Sequence, residues 1–178
     1  MERPYRPWWD GPDVMIGAMR TTAKVDYAVR AGVALALTAA RAEADGVRPE
    51  PMKAHVLAAE EDIPPKFLES ILADLKRAQL VSSQRGAVGG YRLARPAAEI
   101  TIADIIRAVE GPLADVRGER PEEIAYREGL EALQRMWIAL RANLRAVLER
   151  TTLADLASGA LAPDVDVLAR APGAWDPH

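Results

Sequence analysis

The sequence predicts a mostly α-helical fold in which a short helix pair leads into a two-stranded hairpin and one long helix follows towards the C-terminus. Three observations predict it. Almost half of the 178 residues are apolar, with a single Phe and much alanine, the best intrinsic helix former. From Ile63-Pro64-Pro65 onward, Leu68, Ile71, Leu72 and Leu75 recur three and four residues apart, one apolar stripe behind a proline start signal. Two strand-like segments, Val81 to Gln84 and Tyr91 to Ala94, then flank Arg85-Gly86-Ala87-Val88-Gly89-Gly90, a loop with three glycines.

Composition bounds the function. A chain of this length suits one domain plus an accessory element. No apolar run approaches bilayer length and Met1-Glu2-Arg3-Pro4 opens no signal-peptide pattern, so a cytoplasmic protein without a membrane partner is expected. The absence of cysteine removes disulfides, thiolate nucleophiles and thiolate metal ligands together. The net charge is -3, yet residues 64 to 95 hold Lys66, Lys76, Arg77, Arg85, Arg92 and Arg95 against Glu69 and Asp74, a local +4. Positive charge confined to one stretch is the footprint of a patch.

In order, residues 1–18 hold Pro4, Pro7, Gly11, Pro12 and Gly17 beside Trp8 and Trp9, an irregular arm and a candidate docking element. From Thr21 or Thr22 a helix apolar on most faces is expected to be central. Residues 43–51 read as a loop, and a short helix from Met52 to Glu61 should bury Val56, Leu57 and Ala59. With only Asp62 and Ile63 before Pro64, this helix and the striped one after it form a helix-turn-helix, and the glycine hairpin is its wing. The glycines are expected to supply positive φ and a close approach to a phosphate backbone. Ile100 to Gly111 is a helix with Thr101 and Asp104 spaced as an acidic capping box, and residues 112–121 are a charged loop. A periodic segment from Glu122 to Arg150 carries Leu130, Leu133, Trp137, Leu140, Leu144 and Val147 at alternating three- and four-residue steps, a seam that suits a second subunit. Thr151-Thr152-Leu153 caps a short helix, and residues 158–178 read as tail. The resulting units are 1–18, 19–111, 112–121, 122–157 and 158–178.

For chemistry, Lys66, Glu69, Ser70, Ala73 and Arg77 fall on the exposed face of the striped helix. Lysine and arginine suit phosphates, a glutamate accepts a hydrogen bond from a cytosine amino group, and an arginine at a glycine-flanked tip suits a narrow minor groove. The polar head of the first helix, Arg20, Thr22, Lys24 and Tyr27, can hold a phosphate at free N–H groups, or simply cap the helix. The glycines lack the Gly-Lys-Ser/Thr ending of a nucleotide loop and lead into a strand. His55 and His178 pair with no obvious acid or nucleophile, and the run Glu60-Glu61-Asp62 reads as a solvated helix end. No catalytic residue, metal ligand set or cofactor is expected.

The run from Met19 to Ala31, the helix opening Ile63-Pro64-Pro65-Lys66-Phe67-Leu68-Glu69, the wing Ser83-Gln84-Arg85-Gly86-Ala87-Val88-Gly89-Gly90-Tyr91, the helix from Ile100 to Gly111 and Thr151-Thr152-Leu153-Ala154-Asp155-Leu156 resemble, in order and spacing, the bacterial winged-helix regulators of the IscR, NsrR and CymR kind, the Rrf-two family. The resemblance implies a homodimeric transcription factor, read here as a repressor on a pseudo-palindromic operator of double-stranded DNA. It implies that Glu69 reads a base in the major groove and that Arg85 enters the minor groove. The expected interface takes in Arg20, Thr22, Lys24, Tyr27, Lys66, Glu69, Ser70, Arg77, Ser82, Gln84, Arg85, Gly86 and Tyr91. Many relatives hold an iron-sulfur cluster on three cysteines between the helix ending at Gly111 and the dimerisation helix. Here that stretch has neither cysteine nor histidine, so the cluster does not carry over. A small-molecule effector near Glu122, Glu123, Tyr126, Arg127 and Trp137, or a protein partner, takes its place as the expected input. The alternatives are a winged-helix interaction module that no longer binds DNA and a sensor using non-cysteine ligands.

Overall fold

The computed structural model describes residues 21–176 other than Ala87. Arg20, the Trp8-Trp9 arm and His178 therefore lie outside the described residues. Helix α1 (Ala23–Ala44) opens on Thr22, whose hydroxyl accepts from the Val25 N–H at 3.2 Å. As the apolar faces of its sequence require, it is the central helix, with Val25, Ala28, Ala31 and Leu35 buried. Its small residues let neighbours close in. A Cβ added at Gly32 would stand 3.1 Å from a methyl of Leu153 and 3.2 Å from one of Ile105.

Helices α2 (Ala54–Glu60) and α3 (Pro65–Arg77) make the helix-turn-helix. In the turn, Asp62 takes φ +49, a left-handed conformation that short polar side chains tolerate. The Ile63 N–H then bonds the Ala58 carbonyl at 2.9 Å and its side chain enters the core. Leu68, Ile71, Leu72 and Leu75 are at most 1% exposed, as the stripe predicts. The helix stops at Gln79 with φ +59, and the Leu80 N–H bonds back to the Leu75 carbonyl, a Schellman closure.

Strands β1 (Val81–Gln84) and β2 (Gly90–Leu93) pair antiparallel, Val81 opposite Leu93 and Gln84 opposite Gly90. The expected helix from Met52 starts later because Met52 exchanges two backbone hydrogen bonds with Tyr91, at 2.8 and 2.7 Å, as an extra rung beside the wing. Ala58, not Ala59, is the buried alanine of α2. The glycines also divide their work differently from expectation. Gly86 alone of the three takes positive φ, +108. Gly90 is needed for space, since a Cβ there would stand 2.4 Å from the Met52 carbonyl oxygen. The close approach that it permits is to the chain itself.

Helix α4 (Ile102–Val109) carries the full capping box of Thr101 and Asp104, and α6 (Leu153–Ser158) repeats it with Thr152 and Asp155. The two starts are stitched together, Ile102 N–H to the Thr151 carbonyl and Leu153 N–H to the Ile100 carbonyl, both 2.9 Å. Leu153 thereby joins the core of α1, α3 and α4, so Gly111 ends a helix without ending the packing unit.

Helix α5 is Glu131–Leu148, not a helix from Glu122. Gly129 at φ +85 breaks the chain just before it. The Gln134 side-chain amide donates to the carbonyls of Pro121 and Ile124 at 3.1 and 3.0 Å, folding the preceding turns back against the helix. A last helix, α7 (Pro163–Ala169), stands inside the expected tail, with Pro163 in its first turn and Val165 buried. Among the described residues no helix is long and apolar enough to cross a membrane.

Candidate nucleic-acid interface

The core stripe of α3 fixes what its other side presents. Lys66, Glu69, Ser70, Ala73 and Arg77 are all exposed, two turns and more of helix without a covering element of the same chain. Arg77 is held by Asp74 of the preceding turn at 2.8 Å yet stays 75% exposed. Phe67 stands beside them, outside the set of residues expected at the interface. Its ring is 48% exposed beside these residues and is steadied edge-on by Tyr27, with ring centroids 6.1 Å apart. A lone aromatic off the apolar stripe of a helix is the signal that marked it.

The wing extends this surface. Gln84, Arg85 and Gly86 lie exposed at its tip. Lys76 at the end of α3 donates to the Ser83 hydroxyl at 2.8 Å, and Arg92 to the Ser82 hydroxyl at 3.4 Å, so the strands are tied to the helix and to each other through side chains. Ser82 is thus engaged within the wing. Tyr91 is half-buried and packs against the core, which makes it a support of the hairpin rather than part of its outer face.

The head of α1 differs from the expectation of an open phosphate site. Thr22 spends its hydroxyl on capping and on the Glu110 carboxylate. The Lys24 ammonium reaches the Asp74 carboxylate at 2.8 Å and the Val109 carbonyl at 2.9 Å. It clasps α1, α3 and the end of α4, and Lys24 first and Arg77 second hold the Asp74 carboxyl below the usual carboxylate range. Tyr27 leans on Phe67, and Arg30 lies 5.8 Å over the Tyr27 ring. Lys24 and Tyr27 therefore set the pose of α3, while Thr22 ties the start of α1 to the end of α4.

The second candidate region lies beyond α4. Residues 112–115 and 120–122, Arg107 of α4 and the flank of α5 line an open cavity of about 340 Å³. Of the five residues expected around an effector only Glu122 lines it. Glu123 pairs with Arg120 at 3.8 Å, and Tyr126, Arg127 and Trp137 are not in the wall. The wall carries Arg107, Arg120, Arg141 and Arg145 instead. These come from three segments, and sequence spacing alone does not bring them together.

The model of the Rrf2 family, described as iron-dependent transcriptional regulators, matches residues 21–159. The HTH-type transcriptional regulator Rv1287 of Mycobacterium tuberculosis H37Rv is 50% identical over 85% of this chain and 89% of its own length. CymR of Bacillus subtilis, likewise an HTH-type transcriptional regulator, is 36% identical over 76% of this chain and 90% of its own. Among solved structures, that of the B. subtilis global cysteine regulator CymR superimposes with a TM-score of 0.65 at 31% identity, covering 80% of this chain and 99% of that one. The structure of IscR from T. potens gives a TM-score of 0.62 at 27% identity, covering 80% and 89%.

The iron of the family description finds no thiolate donor set here. The chain has no cysteine, residues 112–123 offer only Asp115, Glu119, Glu122 and Glu123 as donors, and no metal-competent group of three or more His, Asp or Glu is gathered among the described residues. The residues present do not fit a thiolate-held cluster. With the family model matching residues 21–159 and a regulator half-identical along 85% of the chain, the chain belongs to the Rrf2 family of DNA-binding transcriptional regulators, and not to a class of enzymes.

Proposed function

We propose that the chain acts as a homodimeric, sequence-specific repressor on a pseudo-palindromic operator. The observation that carries the reading is the exposed side of α3 continuing into the exposed wing tip. On it Lys66 and Arg77 contact phosphates, Glu69 and Ser70 read base edges in the major groove, and Arg85 enters the minor groove. Gln84 and Gly86 set the close approach of the tip.

The seam of α5 supports dimerisation. Leu133, Trp137, Leu140, Leu144 and Val147 are only half-buried, Leu130 stands at the helix cap, and α5 has no fully buried residue. A second copy of the same helix covers such a stripe by the usual isologous pairing. Two-fold symmetry then sets two recognition helices about 34 Å apart or a multiple of it, and occupation of the operator is the route to repression.

The test is a pair of substitutions read over a salt series. Lys66→Ala should weaken binding to all duplexes alike and reduce the salt slope by about 1, whereas Glu69→Ala should relax the preference at one base-pair position. Identical behaviour of the two variants on operator and random duplex would contradict the assignment.

A further inference from the structure

The cavity beyond α4 places like charges together, an arrangement whose repulsion nearby negative charge has to offset. Arg107 on α4, Arg120 on the loop and Arg141 and Arg145 on α5 line one space of about 340 Å³. We propose that this cavity binds a compact polyanion, a di- or tricarboxylate or a phosphate compound, held chiefly by Arg107, Arg141 and Arg145.

In the chain alone each of the four has a carboxylate partner, Asp104 and Glu149 for Arg107, Glu123 for Arg120, Glu122 for Arg141 and Glu149 for Arg145, so a ligand draws on the donors these pairs leave over. Glu149 serves two guanidiniums at once, accepting from Arg107 and from Arg145 Nε, the latter at 2.9 Å. Glu122 meets Arg141 at 2.5 Å. Both carboxyls are held below the usual range, Glu149 by Arg107 first and Arg145 second, Glu122 by its own backbone N–H first and Arg141 second. A guanidinium carries five N–H donors in a planar fork, and these pairs use only a part of each fork. Carboxylate or phosphate oxygens match the remaining donors bidentately.

Two carboxylates, Asp115 and Glu122, also line the wall and oppose a bare anion. Glu122 is 45% exposed, whereas Arg141 is 18% exposed. An incoming anion therefore displaces Glu122 to water and keeps Arg141 as its floor. Pro112, Leu113 and Pro121 supply apolar wall for a short carbon skeleton. The volume is at the lower end of small-molecule sites, which suits a metabolite rather than a peptide.

The position also gives such a ligand a lever. Arg107 sits in the last turn of α4, and the same turn gives the Val109 carbonyl to Lys24 while its capping residue gives the Glu110 carboxylate to Thr22. Lys24 in turn holds Asp74 of α3. Ligand binding and DNA affinity are then reciprocally linked. That linkage rests on the DNA-binding reading; the anion site does not.

The experiment is a thermal unfolding series without DNA, with citrate and with inorganic phosphate as probes and sodium chloride at matched ionic strength as control. In at least one probe arm a saturable rise in Tm of roughly 3–6 °C is expected at a tenfold excess over Kd. A response to citrate assigns the carboxylate class and one to phosphate the phosphate class. Arg141→Gln should raise that Kd at least tenfold, and Glu122→Gln, which removes the competing carboxylate, should lower it. A rise that chloride reproduces, that does not saturate, or that survives Arg141→Gln overturns the proposal. Should Arg141→Gln fail to fold, Glu122→Gln decides, and an unchanged or higher Kd counts against the site. Loss of operator binding with a retained, saturable Tm response would break the DNA reading while leaving this site standing.

Discussion

Helices α3 and α5 carry apolar stripes of similar regularity, and they meet opposite fates. In α3 the stripe of Leu68, Ile71, Leu72 and Leu75 is closed off from water by α1, α2 and α4. In α5 the stripe of Leu133, Trp137, Leu140, Leu144 and Val147 remains half-covered along the whole helix, with Met136 and Ile138 exposed beside it. Periodicity establishes that a face is to be buried, but not against what. For α3 the partner lies in the same chain. For α5 the proposed partner is a second copy.

That contrast is open to attack at both ends. The largest effect is expected in the closed stripe. Leu72→Ala leaves a cavity in a site with no exposure and should cost about 2–5 kcal/mol, read by denaturant unfolding and independent of protein concentration. Leu144→Glu, by contrast, should leave helix content intact and shift the monomer–dimer midpoint tenfold or more, about 1.4 kcal/mol or above, by sedimentation. A loss of helix content at constant mass would move α5 to the side of α3 and end the distinction.

Arg85→Ala comes next, with about 1–3 kcal/mol lost in specific binding and unchanged unfolding. The smallest effect belongs to the clasp that poses α3. Asp74→Asn should cost about 1–2 kcal/mol of stability, because Lys24 is left half-buried without its carboxylate. The sign with pH follows from the lowered pKa of Asp74. Its contribution is complete above the unfolded value of about 3.9 and disappears as pH falls below that through the folded value. Wild type and Asp74→Asn should therefore converge in stability in strong acid and differ by a constant, full amount above about pH 4, as pH-resolved unfolding would show.

What was legible in the sequence followed from local rules. The stripe of α3, the Thr101 capping box, the threonine cap of α6 and the helix ending at Gly111 depend on residues within four positions of each other, the wing on strands joined by one short glycine loop, and each formed as expected. The start of α5 did not: the expected segment ran from Glu122, ahead of the first seam leucine, Leu130, whereas Gly129 and the Gln134 amide decide the boundary. Helix α7 was hidden by reading its prolines and glycines as tail, although Pro163 followed by Asp164 is an ordinary helix start. Long-range partners were illegible for a deeper reason. Lys24 and Asp74 are brought together by packing, as are the four arginines of the cavity, and no periodicity encodes such encounters. The assignment of Lys24 to phosphate followed from its place at a helix N-terminus, where an internal carboxylate turned out to be the closer anion.

The central claim is that two copies read DNA through α3 and the wing, spaced by α5. Selection of bound sequences from random duplex DNA tests it most directly. The expected result is one enriched inverted repeat whose half-site centres lie about one helical turn, 10–10.5 base pairs, or a multiple of it apart, and which Arg85→Ala no longer enriches. Enrichment of no sequence, or of a single asymmetric site bound by one chain, would contradict the account.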